Sequence, residues 1–161
     1  ATPGSLVTLF LAGVGVIGTA TANPVTGVWS FAHATALAEG VAAFSATATA
    51  SGKTSQRSRD FLATIDLTAP LVTLTAPATT TEVKPEVTVV ASDLHGLPDG
   101  TAVTLDVDLN NDGDFLDPGE TGHSTSTLAG GTATFSLASA LTVGATVALR
   151  ARVADLAGNA G

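Results

Sequence analysis

The run Thr101–Leu109 sets the fold class. Val103, Leu105, Val107 and Leu109 alternate with Thr104, Asp106 and Asp108, the period of two that a half-buried pleated strand requires. Short runs rich in Val, Thr and Ala recur along the chain, broken by Gly and Pro, with no long apolar stripe of 3.6-residue period. Thr and Val favour strands, and Gly and Pro punctuate turns. The chain is therefore read as all-β. Its 161 residues are enough for one domain or two small ones.

In the first half, strands are expected near Ser5–Leu11, Val14–Thr21, Val28–His33, Val41–Ala50 and Arg59–Asp66. The polar run Ser51–Gln56 is expected to be a break. Leu6–Gly18 imitates a signal-peptide core, with Ala20-Thr21-Ala22 as its cleavage site, but no basic segment precedes it. It is too short to span a bilayer and reads as a buried hairpin turning near Gly13–Gly15. Trp29 and Phe31 share a face and are expected to anchor a core with Phe10, Phe44 and Phe61 as neighbours. Pro70 cannot donate a ladder hydrogen bond and suits a junction, dividing the chain into residues 1–68 and 69–161. In the second half, strands are expected near Leu71–Thr75, Glu86–Ala91, Thr101–Leu109, Gly122–Thr127, Thr132–Leu137 and Ala145–Ala154. Thr104, Asp106 and Asp108 are expected on the solvent side.

The stretch Asp106–Glu120 holds six of the chain's 14 acidic residues and no basic one. Carboxylates this close repel one another unless a cation sits among them. Asp108, Asn110 and Asp112 fall at positions 1, 3 and 5 of an EF-hand-type loop, Gly113 at position 6, and Asp114 at position 7, where a backbone carbonyl serves. Position 12 would be Gly119, and no helix flanks the loop. Asp117 or Glu120 would supply the closing oxygens to Ca²⁺. The alternative is a solvated acidic hairpin whose Asn, Asp and Gly serve turn geometry.

Other chemistry is thin. There is no Cys, hence no disulfide or thiolate. The net charge is −8. Residues 1–69 carry three basic and three acidic side chains, so the whole excess belongs to residues 70–161. This balance argues against nucleic-acid binding, which needs clustered Lys and Arg. Gly52-Lys53-Thr54 lacks the earlier glycine of a P-loop. No G-x-S-x-G elbow is present. His33, His95 and His123 lack metal-ligand spacing and read as surface or strand residues. A glycosidase carboxylate pair within Asp106–Glu120 would need a cleft and a raised pKa, which a cation loop opposes. No enzyme is expected.

Gly27-Val28-Trp29-Ser30-Phe31, Glu39-Gly40, Phe44–Ala50 and Asp66-Leu67-Thr68-Ala69-Pro70 resemble one bacterial immunoglobulin-like repeat and the start of the next. Ala154–Asn159 resembles the penultimate-strand ending of that next repeat. Such repeats stack in large surface and secreted proteins, often adhesins. The resemblance implies two tandem immunoglobulin-like β-sandwich units, an extracellular or cell-surface location, and neighbouring repeats or copies of the chain as partners. It supports Ca²⁺ in the acidic loop, and it implies a weaker cation site at domain junctions from Asp66, Asp93 and Asp155. The first unit departs at Ala50-Ser51-Gly52-Lys53, where the family often has Asp and a Gly-Asn turn. Ordinary turn capping by Asp is the alternative for the junction acids.

Comparing the two halves, the first unit is expected to lack its opening strand and the second its last. Missing strands leave unpaired edges. The chain is thus expected to be a Ca²⁺-stabilised structural or adhesive repeat. One rival is a filament or surface-layer subunit completed by strand exchange between copies. Another is a carbohydrate- or receptor-binding module, which would need exposed aromatics, whereas the chain has one Trp and no Tyr. A third is the accessory domain of a secreted enzyme. No membrane insertion is expected.

Overall fold

The computed structural model describes all residues from Ala1 to Gly161 and is all-β. No helix is long and apolar enough to cross a membrane. The chain divides into two compact units, Ala1–Asp66 and Leu67–Gly161.

Unit 1 is built on one antiparallel sheet of β1 (Leu6–Leu11), β2 (Gly15–Thr21), β3 (Gly40–Ala50), β4 (Lys53–Thr54) and β5 (Phe61–Ile65). β1 lies between β2 and β3, and β3 pairs with both β4 and β5. The expected first hairpin forms. Its turn uses Gly13 and Gly15, with φ of 77° and 103°, angles that L side chains avoid. It is less buried than expected: Val7 is 2% exposed, but Val14 and Val16 are 69% and 59% exposed. The expected break at Ser51–Gln56 contains a second hairpin. Ser51 and Gly52 both have positive φ, the geometry of a type I′ turn, and Ala50 pairs with Lys53 across it.

The expected strand over Val28–His33 does not form. Asn23 Oδ1 accepts the Val25 and Thr26 N–H groups at 2.8 and 2.9 Å, and Asn23 N–H donates to Val28 at 2.8 Å, so a turn feeds the segment. The alternation of side chains survives without a ladder: Trp29, Phe31 and His33 are half-buried, and Val28, Ser30 and Ala32 are exposed. Phe31 lies where a Cβ on Gly18 would be, and Trp29 lies beside Leu9, Phe44 and Phe61. These aromatics therefore pack over the sheet, but they do not form a closed core. Phe61 is 70% exposed, and Phe10 instead receives Arg57 over its ring at 3.8 Å.

Unit 2 holds the main core, between two three-stranded antiparallel sheets. One sheet has the order β10 (Thr132–Ser136), β7 (Glu86–Ser92), β6 (Leu71–Thr75), and the other β11 (Ala148–Val153), β8 (Ala102–Asp108), β9 (Ser124–Thr127). Val87, Val89 and Phe135 from the first sheet pack with Val103, Leu105, Val107 and Val153 from the second. The period-two alternation of β7, β8 and β10 puts these side chains inside.

Candidate functional site

The acidic loop leaves β8 at Asp108 and returns to the sheet at β9. Residues 104, 106 and 108 face away from the core, yet Asp106 and Asp108 are 0% and 1% exposed. The expectation that they face solvent is therefore corrected. The excursion 109–122 folds back over that face: Val107 N–H donates to Glu120 O at 3.0 Å, and Gly122 N–H donates to Asp106 Oδ1 at 2.8 Å.

Asp108 and Glu120 are the loop's two buried carboxylates. Asp108 accepts the N–H groups of Asp112 and Gly113 at 3.2 and 3.0 Å, one on each oxygen. Gly113 has φ of 94°, which sets the sharp bend expected at position 6. Glu120 accepts the Leu109 N–H at 2.8 Å and the Asp117 N–H at 3.2 Å, and so closes the loop back onto the end of β8. Asn110 Nδ2 donates to Asp112 Oδ2 at 3.0 Å and to Asp117 Oδ2 at 2.6 Å. Asp108, Asn110, Asp112, Asp117 and Glu120 are thus joined in one network. The Asp114 carboxylate is turned to the Leu116 N–H at 2.8 Å.

Asp106 belongs to a different arrangement, which the sequence reading missed. Arg150 and Arg152, two positions apart on β11, both reach it. Arg150 donates to Oδ2 through Nε (3.0 Å) and a terminal nitrogen (2.7 Å), and Arg152 donates to both oxygens at 2.8 Å. Burial alone would raise this carboxyl, but the bonds from Arg152, Gly122 and Arg150 carry it down from 3.8 to about 2. Arg150 also lies over the Phe115 ring at 4.3 Å, a cation–π contact that ties the loop to β11. The signal available in sequence was an Asp on the outer face of one strand and two Arg on one face of another.

Of the junction acids, Asp66 closes unit 1 directly after β5, and Asp93 and Asp155 lie in unit 2. Within each unit two acidic groups that could help hold a metal ion come together. The Gly40–Ile65 pair brings Glu39 and Asp66 together, and the carboxylate oxygens of Asp93 and Asp155 also lie within 4.8 Å of each other. Asp93 Oδ1 accepts the His95 N–H at 2.7 Å, while Oδ2 is buried without a hydrogen-bond partner. Asp155 accepts the Gly158 and Asn159 N–H groups at 2.7 and 2.9 Å. Burial works to raise its pKa, and the bonds from Asn159, Gly158 and Ala157 lower it.

His123, expected to be a surface or strand residue, is buried directly before β9 and is not a surface residue. Its Nε2 hydrogen-bonds with Ser139 at 2.8 Å and its Nδ1 with Ser124 at 3.1 Å. Burial, and then the charge of Lys84, push its pKa below 6.5. The folded state thus holds fewer protons than the unfolded chain, so stability is full above pH 6.5 and falls as the pH drops below it. Urea unfolding of His123→Gln is expected to lose less stability between pH 7.5 and 5.5 than the wild type.

No family model matches the chain, and no curated protein matches it. One solved structure with a likeness is an apo β-glucuronidase 3 of Bacteroides uniformis, at 18% identity and a TM-score of 0.34. The match covers 100% of this chain and 22% of that enzyme. A likeness of that size bears on neither function nor activity.

Proposed function

We propose that the chain is an extracellular structural or adhesive repeat module, stabilised by Ca²⁺ and acting as a spacer or assembly unit of a surface protein. The observation that carries the calcium part is the pair of buried carboxylates, Asp108 and Glu120, in a loop with no basic residue. A buried anion is costly unless positive charge offsets it. Backbone N–H groups offset part of that cost here, and each oxygen keeps a lone pair. Asp108, Asn110, Asp112, the Asp114 carbonyl, Asp117 and Glu120 would hold the ion, an all-oxygen donor set that suits a hard cation. The Asn110 amide, which now donates to two carboxylates, would turn its oxygen inward. Bound Ca²⁺ would cancel repulsion among the acids and order the loop; the role is mechanical and involves no catalysis.

Thermal melting in EDTA followed by added Ca²⁺ tests this reading. Since an ion that binds only the folded state stabilises it by mass action, the melting temperature is expected to rise by several degrees. An unchanged melting temperature in saturating Ca²⁺ sinks the calcium reading.

A second reading is assembly between chains by strand addition, for which β6 and β11 offer edge positions in their sheets. Sedimentation velocity over a range of concentrations tests it: growing species support assembly, and a monodisperse monomer at high concentration rejects it.

A further inference from the structure

One buried titratable group of unit 2 serves neither the hydrophobic core nor the acidic loop. His123 stands directly before β9, 9% exposed, and its ring bridges two hydroxyls. Nε2 meets Ser139 Oγ at 2.8 Å, and Nδ1 meets Ser124 Oγ at 3.1 Å. Ser124 is buried as well, but Ser139, just after β10, is exposed. A residue open to solvent thus carries a hydroxyl held by a buried imidazole.

The loop that carries Ser139 is fixed on both sides. Leu137 is 2% exposed in the core. The Ala138 N–H donates to Ser124 Oγ at 2.9 Å, and Lys84 Nζ donates to the Ala138 carbonyl at 2.9 Å. The Leu141 N–H donates to Val83 O at 2.7 Å. A serine oxygen has two lone pairs. On Ser124 the Ala138 N–H takes one, and the other suits a proton on Nδ1 of His123. That tautomer leaves Nε2 to accept the Ser139 O–H. The result is a nucleophile, its base, and a third group that orients the base. Burial and the charge of Lys84 both favour the neutral imidazole that a base requires.

We propose that Ser139 is a reactive serine that takes an acyl group from an activated ester, with His123 as its base. Ser139 Oγ would attack the carbonyl carbon while its proton passes to Nε2. As the Oγ–C bond forms, the bond from that carbon to the leaving oxygen breaks. The leaving group takes the proton from Nε2 and departs as the alcohol, and Ser139 keeps the acyl group as an ester. Rapid turnover is not expected. The partner of Nδ1 is a hydroxyl, and Lys84 opposes the imidazolium, which a carboxylate would stabilise. The reaction is a single acylation of the chain. It is compatible with a structural role and independent of both Ca²⁺ and assembly.

The test uses the full chain in EDTA with p-nitrophenyl acetate at about pH 7.5, above the ordinary histidine range, followed by peptide mass mapping. Ser139 is expected to be acetylated about a hundredfold faster than Ser136, an exposed serine of β10, which is the lower end of what a general base supplies. Hydroxylamine is expected to remove the label, as it does from an ester and not from an acetylated lysine. His123→Gln, checked for folding by circular dichroism, is expected to bring Ser139 down to the rate of Ser136. Imidazole nitrogen NMR shifts of the wild type give a reading that needs no variant: the proton is expected on Nδ1 of His123. Equal rates at Ser139 and Ser136, acetyl on Lys84 alone, or a proton on Nε2 overturns the proposal. So does a folded His123→Gln chain that still acylates Ser139 at the wild-type rate. Because the measurement is made without Ca²⁺, its failure is distinct from failure of the calcium reading.

Discussion

Replacing both Arg150 and Arg152 by alanine is expected to destabilise unit 2 by about 3–5 kcal/mol, the cost of stripping partners from a buried charge. The Asp106 carboxylate is 0% exposed and would keep only the Gly122 N–H. The converse change is milder. The two arginine side chains are 49% and 46% exposed, so in Asp106→Asn they can turn to water, and a loss of about 2 kcal/mol is expected. This asymmetry is the informative result, because a pair of surface ion pairs would give small and similar losses for either partner. Trp29 lies in unit 1, so its fluorescence does not report this unit. Urea unfolding followed by exchange of the β8 and β11 amides does. The pH dependence follows from the same contacts. With a folded pKa of about 2 against 3.8, Asp106 contributes roughly 2 kcal/mol. That contribution is intact above pH 3.8 and is lost as the pH falls toward 2. Without the arginines, burial dominates and raises the carboxyl, so acid unfolding of the double variant is expected to begin at higher pH.

The period of two carried most of unit 2 into view. In β7, β8 and β10 it coincides with real burial, because a second sheet covers each inner face. The same rule failed for Val28–His33. Trp29 and Phe31 do alternate with exposed neighbours, but alternation records which way side chains point and not whether a strand lies alongside to bond the backbone. Unit 1 also misled on burial, since its apolar residues lie in a single sheet and Val41, Phe61 and Leu62 stay 66%, 70% and 64% exposed. In the candidate site, the spacing Asp108, Asn110, Asp112, Gly113 was legible because each residue serves the local turn. Asp106 was not. Its partners lie 44 and 46 residues away, and only the pairing of β8 with β11 brings them together. The burial of Asp108 and Glu120 was hidden for a related reason: the loop that hides them is made of the same polar residues that suggested exposure.

Glu120→Ala is expected to cost about 3 kcal/mol without any ion, combining an unpaired buried donor with lost packing. Glu120 joins the far end of the loop to the end of β8, through the N–H groups of Leu109 and Asp117. Asp117 is exposed, so water can replace one of these bonds. Leu109 is half-buried, and its N–H is the donor left stranded. Asp114→Ala is expected to cost little, because its carboxylate serves one exposed amide and its backbone carbonyl is kept. Glu120→Gln separates the two jobs of this residue. A carboxamide oxygen can still accept the Leu109 N–H, so most of the ion-free stability is expected to return, while the charge that would help hold Ca²⁺ is gone. Melting of the three variants in EDTA and in Ca²⁺ reads both quantities. Glu120→Gln melting close to the wild type in EDTA, yet gaining nothing from Ca²⁺, would assign Glu120 as a ligand. An undiminished Ca²⁺ response in Glu120→Gln would remove it from the ligand set and leave Asp117 to close the site.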